Sequence, residues 1–335
     1  MGVDLPVIWA VVILFAIGMY VVMDGFDLGI GMLFPFFPGR EDRDVMMNTI
    51  APIWDGNETW LVLGGAGLLA AFPLAYAVVL SALYLPLVLM LLGLILRGVS
   101  FEYRVVAAPG RRKTWDFTFM AGSYAAAFFQ GVVLGSFIDG LEMADGRFAG
   151  GPLDWLAPFP LFTGVGLVVA YMLLGSTWLL IKTEGPLHEE MRRRTRTWLW
   201  ALLAVIAGIS LWTALAQPQI AERWFSVPNL YFFLPVPLLV VLVAGLLLRS
   251  LQRGHHVAPF LLTLALVFLG YSGLGISIWP NVIPPDTSIH EAAAPPQSLG
   301  FTLVGTLFII PVILAYTAFS YWVFRGKVRA GEGYH

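Results

Sequence analysis

Cysteine is absent from all 335 residues. Its absence excludes disulfides, thiolate-held iron–sulfur clusters, structural cysteine zinc sites and cysteine nucleophiles. Histidine is scarce: the five copies, His188, His255, His256, His290 and His335, fall between or beyond the long apolar runs. That placement argues against a bis-histidine haem inside a membrane and against a buried imidazole copper site. Charge is sparse too, at 12% of residues, about half the share of a soluble domain. No Walker loop, GxSxG elbow or dinucleotide fingerprint stands in a workable context. The chain alone carries no recognisable catalytic centre.

What the sequence does have is apolar. Hydrophobic residues make up 59% before glycine is counted, against about 45–50% with glycine included for a soluble domain. A chain of this length could not hide that much apolar surface from water, so much of it must face lipid. A hydrocarbon core of about 30 Å needs roughly 20 apolar residues per helix. By that measure nine spans are expected, over 7–34, 54–73, 76–97, 114–137, 160–182, 197–216, 231–250, 257–279 and 301–324. The first has no basic segment or small-residue cleavage site before it and reads as a retained helix rather than a signal peptide.

The cations sort onto one side of these spans. Of 19 Lys and Arg residues, 17 fall in alternate loops, and only Arg147 and Arg223 lie on the other side. This is the positive-inside pattern. It predicts an outer N-terminus and, with an odd number of spans, a cytoplasmic C-terminus. The outer segments are acidic or rich in proline and glycine, notably 139–160 and 279–298, which suits ordered caps rather than domains. Residues 1–335 therefore read as a single all-α polytopic membrane domain. Nine spans would suit two four-helix bundles plus one extra helix. Cations at the inner face have a topogenic explanation, so nucleic-acid binding is not implied.

Against that background four acids stand out: Asp24, Asp27, Asp55 and Glu58, within or at the ends of apolar runs. Asp24 and Asp27 are three apart, so both point to one face of the first helix. Asp24 lies roughly 26 Å along that helix, in the inner part of the membrane. Asp55 and Glu58 repeat the spacing where the second helix enters from the same side. Ionisable groups at membrane depth usually face a protein interior, a cavity or an ion path, so the four could line one inlet for protons or cations. The plainer alternatives are an interfacial position at a helix N-terminus for Asp55 and Glu58, and an interhelical hydrogen-bonding role for any of the four. Gly25, Gly29, Gly31, Gly64, Gly65 and Gly67 read as helix-packing positions, and Gln130 as an interhelical hydrogen-bonding group. Met19, Met23 and Met172 read as packing, and Trp9, Trp155, Trp279 and Trp322 as interfacial anchors.

Particular strings carry a resemblance. Asp24-Gly25-Phe26-Asp27-Leu28-Gly29, preceded by Met23, resembles a signature of subunit II of the cytochrome bd quinol oxidases. Trp54-Asp55-Gly56-Asn57-Glu58-Thr59-Trp60 resembles that family's WDGN-E/Q-x-W segment. The stretch 97–104 is similar to its basic loop after the third helix, and 311–317 and 321–328 to its last helix. Glu rather than Gln at position 58 is more similar to the cyanide-insensitive branch.

The resemblance implies a nine-span, haem-free subunit paired with a similarly folded subunit I in the bacterial cytoplasmic membrane. Subunit I would hold two haems b, one haem d and the quinol-binding loop. The complex would oxidise quinol and reduce O₂ to water with protons taken from the cytoplasm. By the same resemblance Asp24, Asp27, Asp55 and Glu58 match positions of a proton path, supported by Trp54 and Asn57. A small single-helix subunit is an optional further partner. A structural quinone would have no residues identifiable here. The rivals are a proton- or sodium-coupled secondary transporter, which should show broken helices in corresponding halves, and a non-conducting scaffold.

Overall fold

The computed structural model describes residues 3–108 and 110–331; His335 lies outside them. Helices dominate. In chain order they are α1 (Leu5–Leu33), α2 (Arg40–Asn48), α3 (Trp54–Ala71), α4 (Pro73–Ala82), α5 (Tyr84–Val106), α6 (Arg112–Asp139), α7 (Pro158–Lys182), α8 (Gly185–Ala216), α9 (Pro218–Phe225), α10 (Asn229–Phe233), α11 (Pro235–Gln252), α12 (Ala258–Ile278) and α13 (Pro296–Val323). Two 3-10 turns (Phe34–Phe36 and Asp154–Leu156) and two short antiparallel pairs complete the described elements: β1 (Met143–Ala144) with β2 (Arg147–Phe148), and β3 (Asn281–Ile283) with β4 (Thr287–Ser288).

Proline explains many of the helix starts. α1, α4, α7, α8, α9, α11, α12 and α13 each carry one in their first two positions, where its missing N–H costs nothing and its fixed φ suits a helix. Asp4 caps α1 by accepting a hydrogen bond from the Val7 amide at 3.2 Å.

Among the described residues, eight helical stretches are long and apolar enough to cross a membrane, and α3 with α4 makes a ninth when taken as one broken span. The break corrects a boundary. The expected third span, 76–97, begins inside α4, which meets α3 at 120°. The crossing helix is α5, starting at Tyr84. Pro73 cannot donate to the preceding turn, so the chain leaves α3 at Phe72 and restarts in a new direction. A second correction concerns α8, which begins at Gly185 rather than near 197. His188, expected in a loop, is therefore helical and buried.

α1, α3, α5 and α6 form one group of helices, and α7, α8, α11 and α12 form another. The groups join through α1 on α7 and α6 on α7, while α13 lies against α3 and α1. α7 is the shared centre, and Tyr171 through Leu180 are all buried. Glycines allow the central crossings. A methyl group on Gly29 would stand 1.9 Å from the Tyr171 carbonyl oxygen, and one on Gly175 would stand 2.7 Å from the Gly29 backbone. Where α5 crosses α6, a Cβ on Gly93 would meet the Ala126 amide at 2.6 Å. Gly25, Gly29, Gly31, Gly64 and Gly67 are thus packing positions, as small residues usually are between membrane helices, whereas Gly65 faces open space.

The two ends of the bundle differ. At one end the loops 140–157 and 279–295 cap the helices; the Leu141 amide donates to the Pro284 carbonyl at 3.3 Å, and His290 meets Asp4 at 3.1 Å. Trp9, expected as an interfacial anchor, is instead 2% exposed, its indole donating to the Leu299 carbonyl at 3.0 Å. Trp279 and Trp322 are exposed, and Trp155 is half-buried. At the opposite end lie the clustered cations. There residues 324–329 cross the α7–α8 turn: Val328 donates to the Lys182 carbonyl at 2.9 Å, and Lys327 to the Thr183 carbonyl at 2.9 Å. Arg329 pairs with Glu184 at 2.9 Å and holds that carboxyl below the usual range.

Candidate functional site

Toward the cationic end, α1, α3, α5 and α13 bring a set of polar side chains together in an otherwise apolar interior. Asp24 and Asp27, three apart on α1, are both fully buried. Asp24 Oδ1 accepts from Arg97 Nη1 at 2.5 Å, and Glu58 Oε2 accepts from Arg97 Nη2 at 2.9 Å. Arg97 is itself fully buried. It lies in the middle of α5, not in a loop, which corrects its assignment as a topogenic cation. One guanidinium thus bridges α1 and α3 from α5.

Asp27 has different company. Its Oδ2 accepts from Asn57 Nδ2 at 2.8 Å, and Asn57 Oδ1 accepts from the Tyr321 hydroxyl at 2.9 Å. Asp24 Oδ2 and Asp27 Oδ1 are buried and have no hydrogen-bond partner among the described residues. Asp27 forms no ion pair among them either, though it shares the field of Arg97 and Asp24. Three carboxyls therefore face one guanidinium. Removing an ion from water costs several kcal/mol even after relaxation, so this arrangement is expensive unless a proton or another cation joins it.

Asp55 departs from the expectation of four acids in one group. It is exposed. The buried stripe of α3 runs through Asn57, Trp60, Gly64, Gly67 and Ala71, and two residues of helix turn Asp55 roughly 160° away from Asn57. Asp55 instead lines a cleft of about 210 Å³ with Asn57, Tyr316, Thr317, Ser320 and Tyr321. Asn57 and Tyr321 form part of the cleft wall, and Asn57 also bonds Asp27. Trp54 supports the assembly through Arg97: its ring stacks on Phe101 at 4.9 Å and lies 5.6 Å from the guanidinium carbon.

A neutral branch leaves Asp24 toward α6 and α7. Tyr20 faces Asp24; Gln130 Nε2 donates to the Tyr20 hydroxyl at 2.6 Å, and the Tyr171 hydroxyl donates to Gln130 Oε1 at 2.9 Å. Gln130 is thus the interhelical hydrogen-bonding group its position suggested. A separate ionic cluster lies nearer the end of the bundle, where Asp116 of α6 accepts from Arg43 at 3.1 Å and Arg104 at 2.5 Å. Arg104 also pairs with Asp44 at 2.6 Å. Asp116 lies two residues into the apolar run 114–137, so the criterion that selected the other acids applies to it as well. Arg97 carried no such signal, because it sits at the end of its apolar run like any topogenic cation.

His188 and His256 lie with ring centroids 4.6 Å apart, closer than two axial imidazoles on opposite faces of a porphyrin. No group of three His, Cys, Asp or Glu side chains suited to a metal ion occurs among the described residues.

Comparison with known proteins agrees with the motifs. Residues 5–324 match the family described as cytochrome bd terminal oxidase subunit II. The chain is 31% identical to the probable cytochrome oxidase subunit 2 of Haemophilus influenzae, over 96% of this chain and 94% of that protein. It is 30% identical to the cytochrome bd-I ubiquinol oxidase subunit 2 of Escherichia coli K12 with the same coverage. Against the cytochrome bd ubiquinol oxidase subunit 2 of Bacillus subtilis the identity is 27% over 97% of each chain. The fold matches a chain in the structure of bd oxidase from Geobacillus thermodenitrificans with a TM-score of 0.68 and 12% identity, covering 96% of this chain and 98% of that one. Motifs, fold and full-length similarity together assign this multi-pass membrane chain to the cytochrome bd terminal oxidase subunit II family, as a subunit of a quinol-oxidising oxidoreductase.

Proposed function

We propose that this chain is the haem-free subunit of a water-forming quinol oxidase in the bacterial cytoplasmic membrane. As one integral membrane domain it pairs with a haem-bearing subunit I and brings that partner protons from the cytoplasm. The cation-rich end of the bundle is the cytoplasmic end in this reading, following the positive-inside rule. The partner's haems supply the oxygen chemistry; this chain's residues receive, hold and pass protons.

One observation carries the reading. The buried Asp24, Asp27 and Arg97, with the half-buried Glu58, are connected through Asn57 and Tyr321 to a cleft lined by the exposed Asp55. Acids at membrane depth that face a protein interior and meet a polar cleft are the usual parts of a proton relay. Asp55 is the entry group, and Trp54 and Asn57 fix the geometry behind it.

The test uses the assembled complex. Asp24→Asn should lower quinol-oxidase turnover about a hundredfold, and Asp55→Asn about tenfold because water can partly replace an exposed entry group. Both should keep the haem absorption spectrum. Full turnover in both variants with normal haem content would refute a required path. Loss of all haem signal would favour a structural role for the acids.

A further inference from the structure

The cluster does not treat its three carboxyls alike. Arg97 offers one terminal nitrogen to Asp24 at 2.5 Å and the other to Glu58 at 2.9 Å. Its planar fork is thereby used on two different helices, and Trp54 covers its face. No second buried cation reaches the set among the described residues. Asp27, fully buried one turn from Asp24, is met only by the amide of Asn57, which is oriented in turn by Tyr321. Its other oxygen, Oδ1, has no hydrogen-bond partner among the described residues.

We propose that Arg97 is a positioning residue that divides the acids by charge: it fixes Asp24 and Glu58 as carboxylates and leaves Asp27 as the group that binds and releases the transported proton. The inference deepens the proton-path reading and rests on it for its functional consequence. A carboxylate in ion-pair contact with a buried guanidinium gives up that pairing when protonated, so Asp24 and Glu58 are poor carriers. Asp27 gives up no ion pair, and the two anions held by Arg97 leave the set negative by one charge, which favours a proton on Asp27. The cycle balances. A proton entering past Asp55 binds Asp27 Oδ1 and makes a neutral acid; its departure toward the partner restores the carboxylate. Asn57 cannot supply or absorb a net proton, so its part is to hold Oδ2 and turn Oδ1 away from itself.

Infrared difference spectroscopy of the purified, haem-complete oxidase tests the division, because a neutral carboxylic acid and a carboxylate absorb apart. The wild-type minus Asp27→Asn spectrum should contain one neutral-acid carbonyl band, and the wild-type minus Glu58→Gln spectrum should contain none. Asp27→Glu, which keeps an acid at the position, should move the band rather than delete it, and Asp24→Glu should leave it in place. Turnover of Asp27→Asn should fall about a hundredfold. Absence of the band from the Asp27→Asn difference, or its appearance in the Glu58→Gln difference, overturns the division. The two readings fail separately. A deleted band with wild-type turnover would keep the charge assignment and sink the proton path. An unchanged band with lost turnover would keep the path and sink the assignment. If Asp27→Asn does not assemble, the Asp27→Glu shift decides alone.

Discussion

Two ionic clusters share α5, through Arg97 and Arg104, and they are built on different arithmetic. In the one nearer the bundle's end, Arg43 and Arg104 face Asp44 and Asp116, with the exposed Arg40 also 3.8 Å from Asp44, so cations are not outnumbered by acids where α2 is tied to α5 and α6. In the deeper one a single guanidinium, Arg97, faces Asp24, Glu58 and Asp27. With each of its acids paired to a cation, the cluster nearer the end acts as a bolt. The unbalanced one is complete only when another positive charge joins it, and it stands beside a polar cleft. The excess of acids over cations thus sets the deeper cluster apart, and the proposed proton path assigns that cluster its transport role.

The comparison can be broken from either side. Arg97→Gln should have the largest effect, because it strands two or more buried carboxylates. Breaking a buried ion pair from one side costs about 3–5 kcal/mol, and the yield of haem-complete complex should collapse. Adding Asp24→Asn removes one of the stranded charges and should recover part of that yield. Asp116→Asn should cost about 3 kcal/mol, seen as a lower temperature for loss of the haem spectrum, with turnover of the surviving complex unchanged. Tyr321→Phe removes one hydrogen bond to Asn57, worth about 1 kcal/mol, and should slow turnover a few-fold without altering thermal stability measurably. The smallest effect belongs to Glu184→Gln. Its ion pair with Arg329 is exposed, and exposed pairs contribute little. The Glu184 carboxyl lies below its ordinary value, so the pair's contribution is present at neutral pH and disappears only as pH falls through that lowered value. Near neutrality the thermal midpoint should not move.

Much of this was legible in the chain itself. The apolar runs and the one-sided cations point to a nine-span bundle, and Asp24 and Asp27 stand out because nothing else in their run is charged. Other features depend on information a run of residues does not contain. Arg97 meets Asp24 across 73 positions of sequence, and its place at the end of an apolar run is the same whether it anchors a loop or fills a core. Only the shift of α5 to Tyr84–Val106, forced by the break at Pro73, carries it into the interior. Asp55 and Glu58 share a helix turn, yet the buried stripe beginning at Asn57 decides which of them reaches inward. That stripe, with its Asn57-Trp60-Gly64-Gly67 spacing, was readable. Asp116 was readable too, by the same reasoning that selected the other acids.

The most direct test compares the two clusters in one assay: quinol-oxidase turnover, per haem, of purified Asp27→Asn and Asp116→Asn complexes. The charge arithmetic predicts about a hundredfold loss in the first and the wild-type rate in the second. Equal rates in the two variants would contradict it.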